Sequence, residues 1–267
     1  MQDVPESPTA IESRLRNPGL LFLVGPLLLA LLCWAWLVPA SLDMYGAMDG
    51  LAAWMMESRW DFFYALKIFA MWSVMMAGMM LPSAVPALLT YGAVCRSDAS
   101  GGSAAVRVYL FASGYVTAWL LFSVAATLLQ WQLAQLKLLT PTMEMGNQRL
   151  SGAVLIVAGA YQWSAFKRRC LGQCSSPAAF LASHWSRGRS GALRMGVEYG
   201  GFCLGCCWAL MLLLFVGGVM SLSCILLITV LVLVEKLGPW GTAGARLSGG
   251  LLVAAGLYAL AGFGLGA

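Results

Sequence analysis

Three thiols fall within five residues, at Cys203, Cys206 and Cys207, inside the apolar segment 198–211. On a helix, spacings of three and four put all three sulfurs on one face. Met211, four residues after Cys207, extends that face, and Gly196 and Gly200 precede it on the same line. A face thinned by glycine lets a neighbouring helix approach closely. Clustered soft sulfur there points to a thiolate metal site or a thiol redox site. Tight packing of small residues would explain one such cysteine. It explains less well three together with Cys170 and Cys174 just upstream.

A second constellation is methionine. Met71, Met75 and Met79 are spaced by four, as are Met76 and Met80. Thioethers at that spacing could pass Cu(I) along a helix, because soft sulfur suits Cu(I) and needs no deprotonation. Methionine is equally a flexible apolar filler. Glu235, and Glu198 at the head of the thiol segment, are carboxylates that could serve as proton or charge partners. Pairing of Glu235 with Lys236 or nearby arginines is the plainer expectation. The single His184 reads as incidental. Tyr161 and Gln162 read as anchors at a membrane interface.

These residues must be positioned by apolar helices. Of 267 residues, 60% are hydrophobic and 10% charged, where a soluble domain carries about a quarter charged. The pattern is that of an all-α polytopic transmembrane bundle, with a polar tail at 1–19 and one membrane domain at 20–264. About seven spans are expected, near 20–42, 62–94, 106–131, 150–166, 195–216, 219–234 and 247–263. Pro82 and Pro86 predict a tilt or kink in the second. A tight turn is expected at Gly217–Gly218, and residues 167–194 read as the longest polar connection. With the N-terminus inside, twelve of the 16 Lys and Arg fall in inside segments, so orientation follows the positive-inside rule. That places the chain in a bacterial cytoplasmic (inner) membrane, with the basic 167–194 stretch cytoplasmic. Cys203 then lies about 12 Å beyond Met195 along the helix axis. Cys170, Cys174 and Glu235 gather at the same end.

The net charge of +5 reads as a topology signal, not as nucleic-acid binding. The eight cysteines are expected reduced, since most sit in or beside apolar spans at the cytoplasmic end. The chain has no phosphate-binding glycine loop, no phosphorylated-aspartate motif and no Ser/His/Asp set, so it is not itself an ATP-driven pump.

Several stretches together resemble the DUF2182 family of bacterial proteins, described as metal-binding integral membrane proteins. They are the methionine run Met71–Ser83, Tyr161-Gln-Trp-Ser, Cys170-x-x-x-Cys174, the Gly200–Met211 segment with its three thiols, and Glu235-Lys236. The resemblance covers most of residues 60–260 and implies a metal-binding role, with no established substrate. The reading is therefore a membrane protein binding Cu(I), or Zn(II), for transport or delivery. Cys203, Cys206, Cys207, Cys170, Cys174 and Met211 would be its ligands. Its partners would be the lipid bilayer, a metal chaperone or acceptor protein, and a second copy of itself. A membrane thiol–disulfide oxidoreductase and a non-catalytic assembly partner are the alternatives.

Overall fold

The computed structural model of the protein describes residues 22–46, 50, 60–98, 103–238 and 241–262. The tail at 1–19 and most of the acidic 47–59 connection lie outside these residues. Within them the chain is helical, apart from an isolated bridge between Leu139 and Met145. The helices are α1 (Val24–Met44), α2 (Phe62–Ser97), α3 (Ala104–Gln135), α4 (Gln148–Gln162), α5 (Ala165–Ser175), α6 (Pro177–His184), α7 (Gly188–Met211), α8 (Leu214–Gly217), α9 (Leu222–Leu237) and α10 (Gly241–Leu260).

Among the described residues, five stretches are long and apolar enough to cross a membrane: α1, α2, α3, α7 continued through α8, and α10. The other two expected spans are α4, of 15 residues, and α9, of 16. Both are shorter than the roughly 20 residues that span a bilayer core. The outward faces of α1 and α10 expose Leu28, Leu31, Leu32, Leu247 and Leu251, leaving the polar groups to the interior.

The 167–194 stretch is not a loop. Ser164 Oγ accepts from Lys167 N at 3.0 Å and starts α5, an N-cap that satisfies one of the free amides of a first turn. Lys167, Cys170, Leu171 and Cys174 then recur at helical spacing, and all four are buried. Pro177 opens α6 at a position where its missing N–H costs nothing. The charge of the stretch concealed its 3.6-residue period: Arg168 and Arg169 point outward while the buried stripe runs beneath them.

The two prolines of α2 do not end it. Pro82 cannot donate to the carbonyl of Gly78, and Trp34 Nε1 from α1 donates to that carbonyl instead, at 3.1 Å. At the start of α2, Asp61 caps the helix through Tyr64 N at 2.7 Å. At its other end the buried Arg107 of α3 bonds Cys95 O and Asp98, which closes the turn between the two helices.

Glycine fixes two helix pairs. A Cβ on Gly196 of α7 would collide with the carbonyl of Phe111, and one on Gly114 of α3 with that of Leu193. The close approach expected at Gly196 and Gly200 is thus made, and its partner is α3. Gly152 and Gly159 of α4 face Gly256 and Gly249 of α10 reciprocally, each so close that a Cβ would stand within 3 Å of the opposing carbonyl. Gly218 turns the chain after α8 with φ +91°, as the expected tight turn requires.

Candidate thiol and methionine site

The approach of α3 to α7 places Tyr115 over Cys203. The Tyr115 hydroxyl lies 3.0 Å from Cys203 Sγ and donates to Met80 O at 3.0 Å. From α9, Lys236 reaches the same sulfur: its Nζ is 2.6 Å from Cys203 Sγ and donates to Ser83 Oγ at 3.1 Å. Cys203, Tyr115 and Lys236 are all buried. An ammonium in such a place is stable only if it is bonded on several sides. Here α2, α3, α7 and α9 meet around one sulfur.

The other thiols close around it. Cys206 and Cys207 turn back and donate to Cys203 O, at 3.0 and 2.8 Å. Cys174, on α5, lies beside the thiols of Cys203 and Cys206; their proximity, and then burial, hold the Cys174 thiol well above the ordinary thiol range. Burial pushes Cys170 up as well. Tyr199 donates to Cys174 O at 2.9 Å and fixes the end of α5. Cys170 packs its sulfur over Gly205, where a Cβ would come within 2.7 Å of it. Among the described residues, no group of three or more His, Cys, Asp or Glu side chains is already arranged to hold a metal ion. The geometry accounts for this: two of the thiols are folded onto their own helix backbone and the third faces Lys236.

All five methionines of the α2 stripe are buried, as are Met211 and Met220. The stripe's Met80–Ser83 end abuts Cys203 through Tyr115 and Lys236. At its other end Trp72, next to Met71, is tied down: its Nε1 donates to Gln130 Oε1 at 2.7 Å, and Gln130 Nε2 donates to Met143 Sδ at 3.1 Å. The helix that carries the methionines thus reaches the thiol site through the Met80 carbonyl and the Ser83 hydroxyl.

Glu235 and Lys236 do not pair with each other. Glu235 Oε2 accepts from Lys167 Nζ at 2.6 Å, and its Oε1 accepts from Gln162 at 3.0 Å and Ser248 at 3.3 Å. Adjacent helix residues face about 100° apart, so Glu235 points toward α4, α5 and α10 while Lys236 points toward the thiols. Gln162, expected as an interface anchor, is buried in this cluster. Glu198 stands apart from the thiols, in an exposed i,i+4 pair with Arg194 at 2.8 Å. His184 stacks on Phe180 with ring centroids 4.7 Å apart. Sequence reasoning did not assign Lys167, Tyr115, Ser83 or Ser248 to the site. A lysine on an apolar helix is a usable signal and marks Lys236; Lys167 stands in a charged run beside Arg168 and Arg169, and Tyr115 carries no such signal.

The fold and site define an all-helical protein with five helices suited to a membrane and a sulfur-rich interior built from two faces. The family model described as copper chaperone, PpoB2, matches residues 69–259, well over half of the chain, and the chain belongs to that family. That description does not use the DUF2182 name, but it is likewise one of metal handling. No curated protein matches the chain. No solved structure matches it either.

Proposed function

We propose that the protein is an integral membrane copper chaperone that takes Cu(I) along the methionine stripe of α2 and holds it at the thiols of α7 for delivery to an acceptor protein. One observation carries this reading: the Met80 carbonyl and the Ser83 hydroxyl, at the end of the methionine run of α2, are linked to Cys203 Sγ through Tyr115 and Lys236. Cu(I) is stable with two or three sulfur ligands, so Cys203 and Cys206, with Cys207 or Cys174, suffice. Loading requires Cys206 and Cys207 to swing off the Cys203 carbonyl and Lys236 to withdraw from Cys203. The distribution of Lys and Arg favours an N-terminus inside a bacterial cytoplasmic membrane and a thiol site near the cytoplasmic face.

The test is competition for Cu(I) against a chromogenic chelator, using protein purified in detergent under reducing conditions. Wild type should retain Cu(I) and resist alkylation when loaded. The Cys203→Ser/Cys206→Ser/Cys207→Ser variant should lose both properties. Equal retention and equal alkylation in the two proteins would reject the thiol site.

A second reading, a membrane thiol–disulfide oxidoreductase, is favoured by the proximity of Cys174 to Cys203 and Cys206. Two such thiols could give two electrons and two protons to a quinone, forming a disulfide and a quinol. A reversible disulfide joining Cys174 to either residue, trapped in copper-free protein, would support it.

A further inference from the structure

Beneath the Glu235 cluster a cavity of about 270 Å³ opens to the surface where α4, α5 and the start of α10 meet. Copper chemistry makes no use of it. Its walls include Gln162, Trp163, Lys167, Arg168, Thr242 and Arg246. Gln162 is 2% exposed. Its Nε2 is committed to Glu235 and Ser248, which fixes the orientation of the amide. Its Oε1 is left without a partner. A buried acceptor left unpaired is costly, so a donor from a ligand is expected there. Arg168 and Arg246 are exposed and, among the described residues, neither pairs with a carboxylate. The first is held by its bond to Trp163 O at 2.5 Å, and Trp163 Nε1 donates to Arg246 O at 3.1 Å. Thr242 lies in the first turn of α10, which contains no acidic residue. A first turn presents free amides and a positive dipole end. Among the described residues, no Asp or Glu lines the cavity, and Glu235, behind Gln162, is paired with Lys167.

Two guanidinium groups and a helix start call for an anion, and the bare Gln162 Oε1 calls for a hydrogen-bond donor beside it. We propose that this cavity binds a phosphate ester carrying an adjacent hydroxyl or ammonium group, the chemistry of a glycerophospholipid headgroup or of a soluble glycerol phosphate. Phe166 and Leu247, adjacent in sequence to the lining residues, are 59% and 68% exposed. They offer the apolar surface along which acyl chains would run, which favours the lipid. The ligand would sit against Gln162 and Lys167, both bonded to Glu235, and so would brace the end of α9 that carries Lys236. The proposal does not depend on copper binding.

Native mass spectrometry of the full chain in detergent tests it, with phosphatidylglycerol, phosphatidylcholine, glycerol 1-phosphate and inorganic phosphate as probes. Wild type should keep one phosphatidylglycerol about tenfold more strongly than phosphatidylcholine, whose headgroup has no donor. The Arg168→Gln/Arg246→Gln variant should lose it by at least about tenfold, because it removes both charged donors. Retention of glycerol 1-phosphate with no lipid preference would support the site with a soluble ligand. Equal phosphatidylglycerol retention by wild type and the double variant, or no retention of any phosphate ester by wild type, would overturn it. The headgroup comparison uses wild type alone, so it holds even if the variant folds poorly.

Discussion

Lys236 Nζ and Cys203 Sγ stand 2.6 Å apart in a buried site, with Ser83 and Tyr115 completing the enclosure. Replacing Lys236 with Met keeps most of the volume and leaves Ser83 and Cys203 without their shared donor. The expected loss is about 1–3 kcal/mol, read as a lower midpoint of thermal unfolding in detergent. An unchanged midpoint would mean that the contact contributes nothing to stability.

The Lys167–Glu235 pair should show strong coupling. Breaking a buried ion pair from one side costs about 3–5 kcal/mol, whereas replacing both partners with apolar groups is often close to neutral. Lys167→Met and Glu235→Met should each destabilise severely, and the double variant should recover most of the loss. Additive effects in the double-mutant cycle would contradict the pairing.

Replacing Met75, Met76, Met79 and Met80 with Leu should preserve folding within about 1.5 kcal/mol per site, because volume and apolarity are nearly kept. Transfer of Cu(I) to the thiols, followed by the rate at which they become protected from alkylation, should nevertheless slow markedly. An unchanged transfer rate would assign the stripe to packing alone.

Helix contact makes a sharp contrast between two glycines of α7. Gly196→Ala should destabilise by at least about 1–3 kcal/mol, because its Cβ would meet the backbone carbonyl of Phe111 and no side chain can yield. Gly201→Ala should be neutral or stabilise by up to about 1 kcal/mol, since nothing stands within 4 Å of its Cβ. Equal midpoints in the two variants would mean that α3 and α7 do not approach at Gly196.

Alkaline stability carries the imprint of Cys174. The neighbouring thiols of Cys203 and Cys206, together with burial, raise its folded-state pKa. The resulting stabilisation is complete below the unfolded thiol value, about 8.5, and is lost as pH rises above that and through the folded value. Cys174→Ala should therefore flatten the decline of unfolding midpoint above about pH 8.5. A decline as steep as that of wild type would show that the thiol does not titrate with unfolding.

Much of the architecture was legible in the apolar periodicity. The helices of residues 62–135 emerge near their expected limits, and Gly196 and Gly200 do mark a close helix contact. The thiol face is real because spacings of three and four on a helix admit no other arrangement. What was hidden depends on tertiary contact. No local signal says that Tyr115, 88 residues before Cys203, will cover its sulfur. Nor does any local signal say that adjacent Glu235 and Lys236 will serve different clusters. The helical character of α5 is masked in the sequence by the charge of Lys167, Arg168 and Arg169, which hides the buried stripe of Lys167, Cys170, Leu171 and Cys174. Likewise, the glycines pairing α4 with α10 are about 90–100 residues apart in sequence, a separation at which spacing carries no information about contact.

That last pairing has a consequence for the carboxylate beside it. Glu235 accepts from Lys167 and Gln162 on one side and from Ser248 of α10 on the other. α10 rests on α4 through four glycines, each too close to the opposing backbone to carry a side chain. The shell of Glu235 is therefore whole only while α10 stays docked. The sulfur chamber takes its walls from α2, α3, α5, α7 and α9 and needs nothing from α10. Loosening the glycine seam would open the charge cluster and leave the sulfurs enclosed.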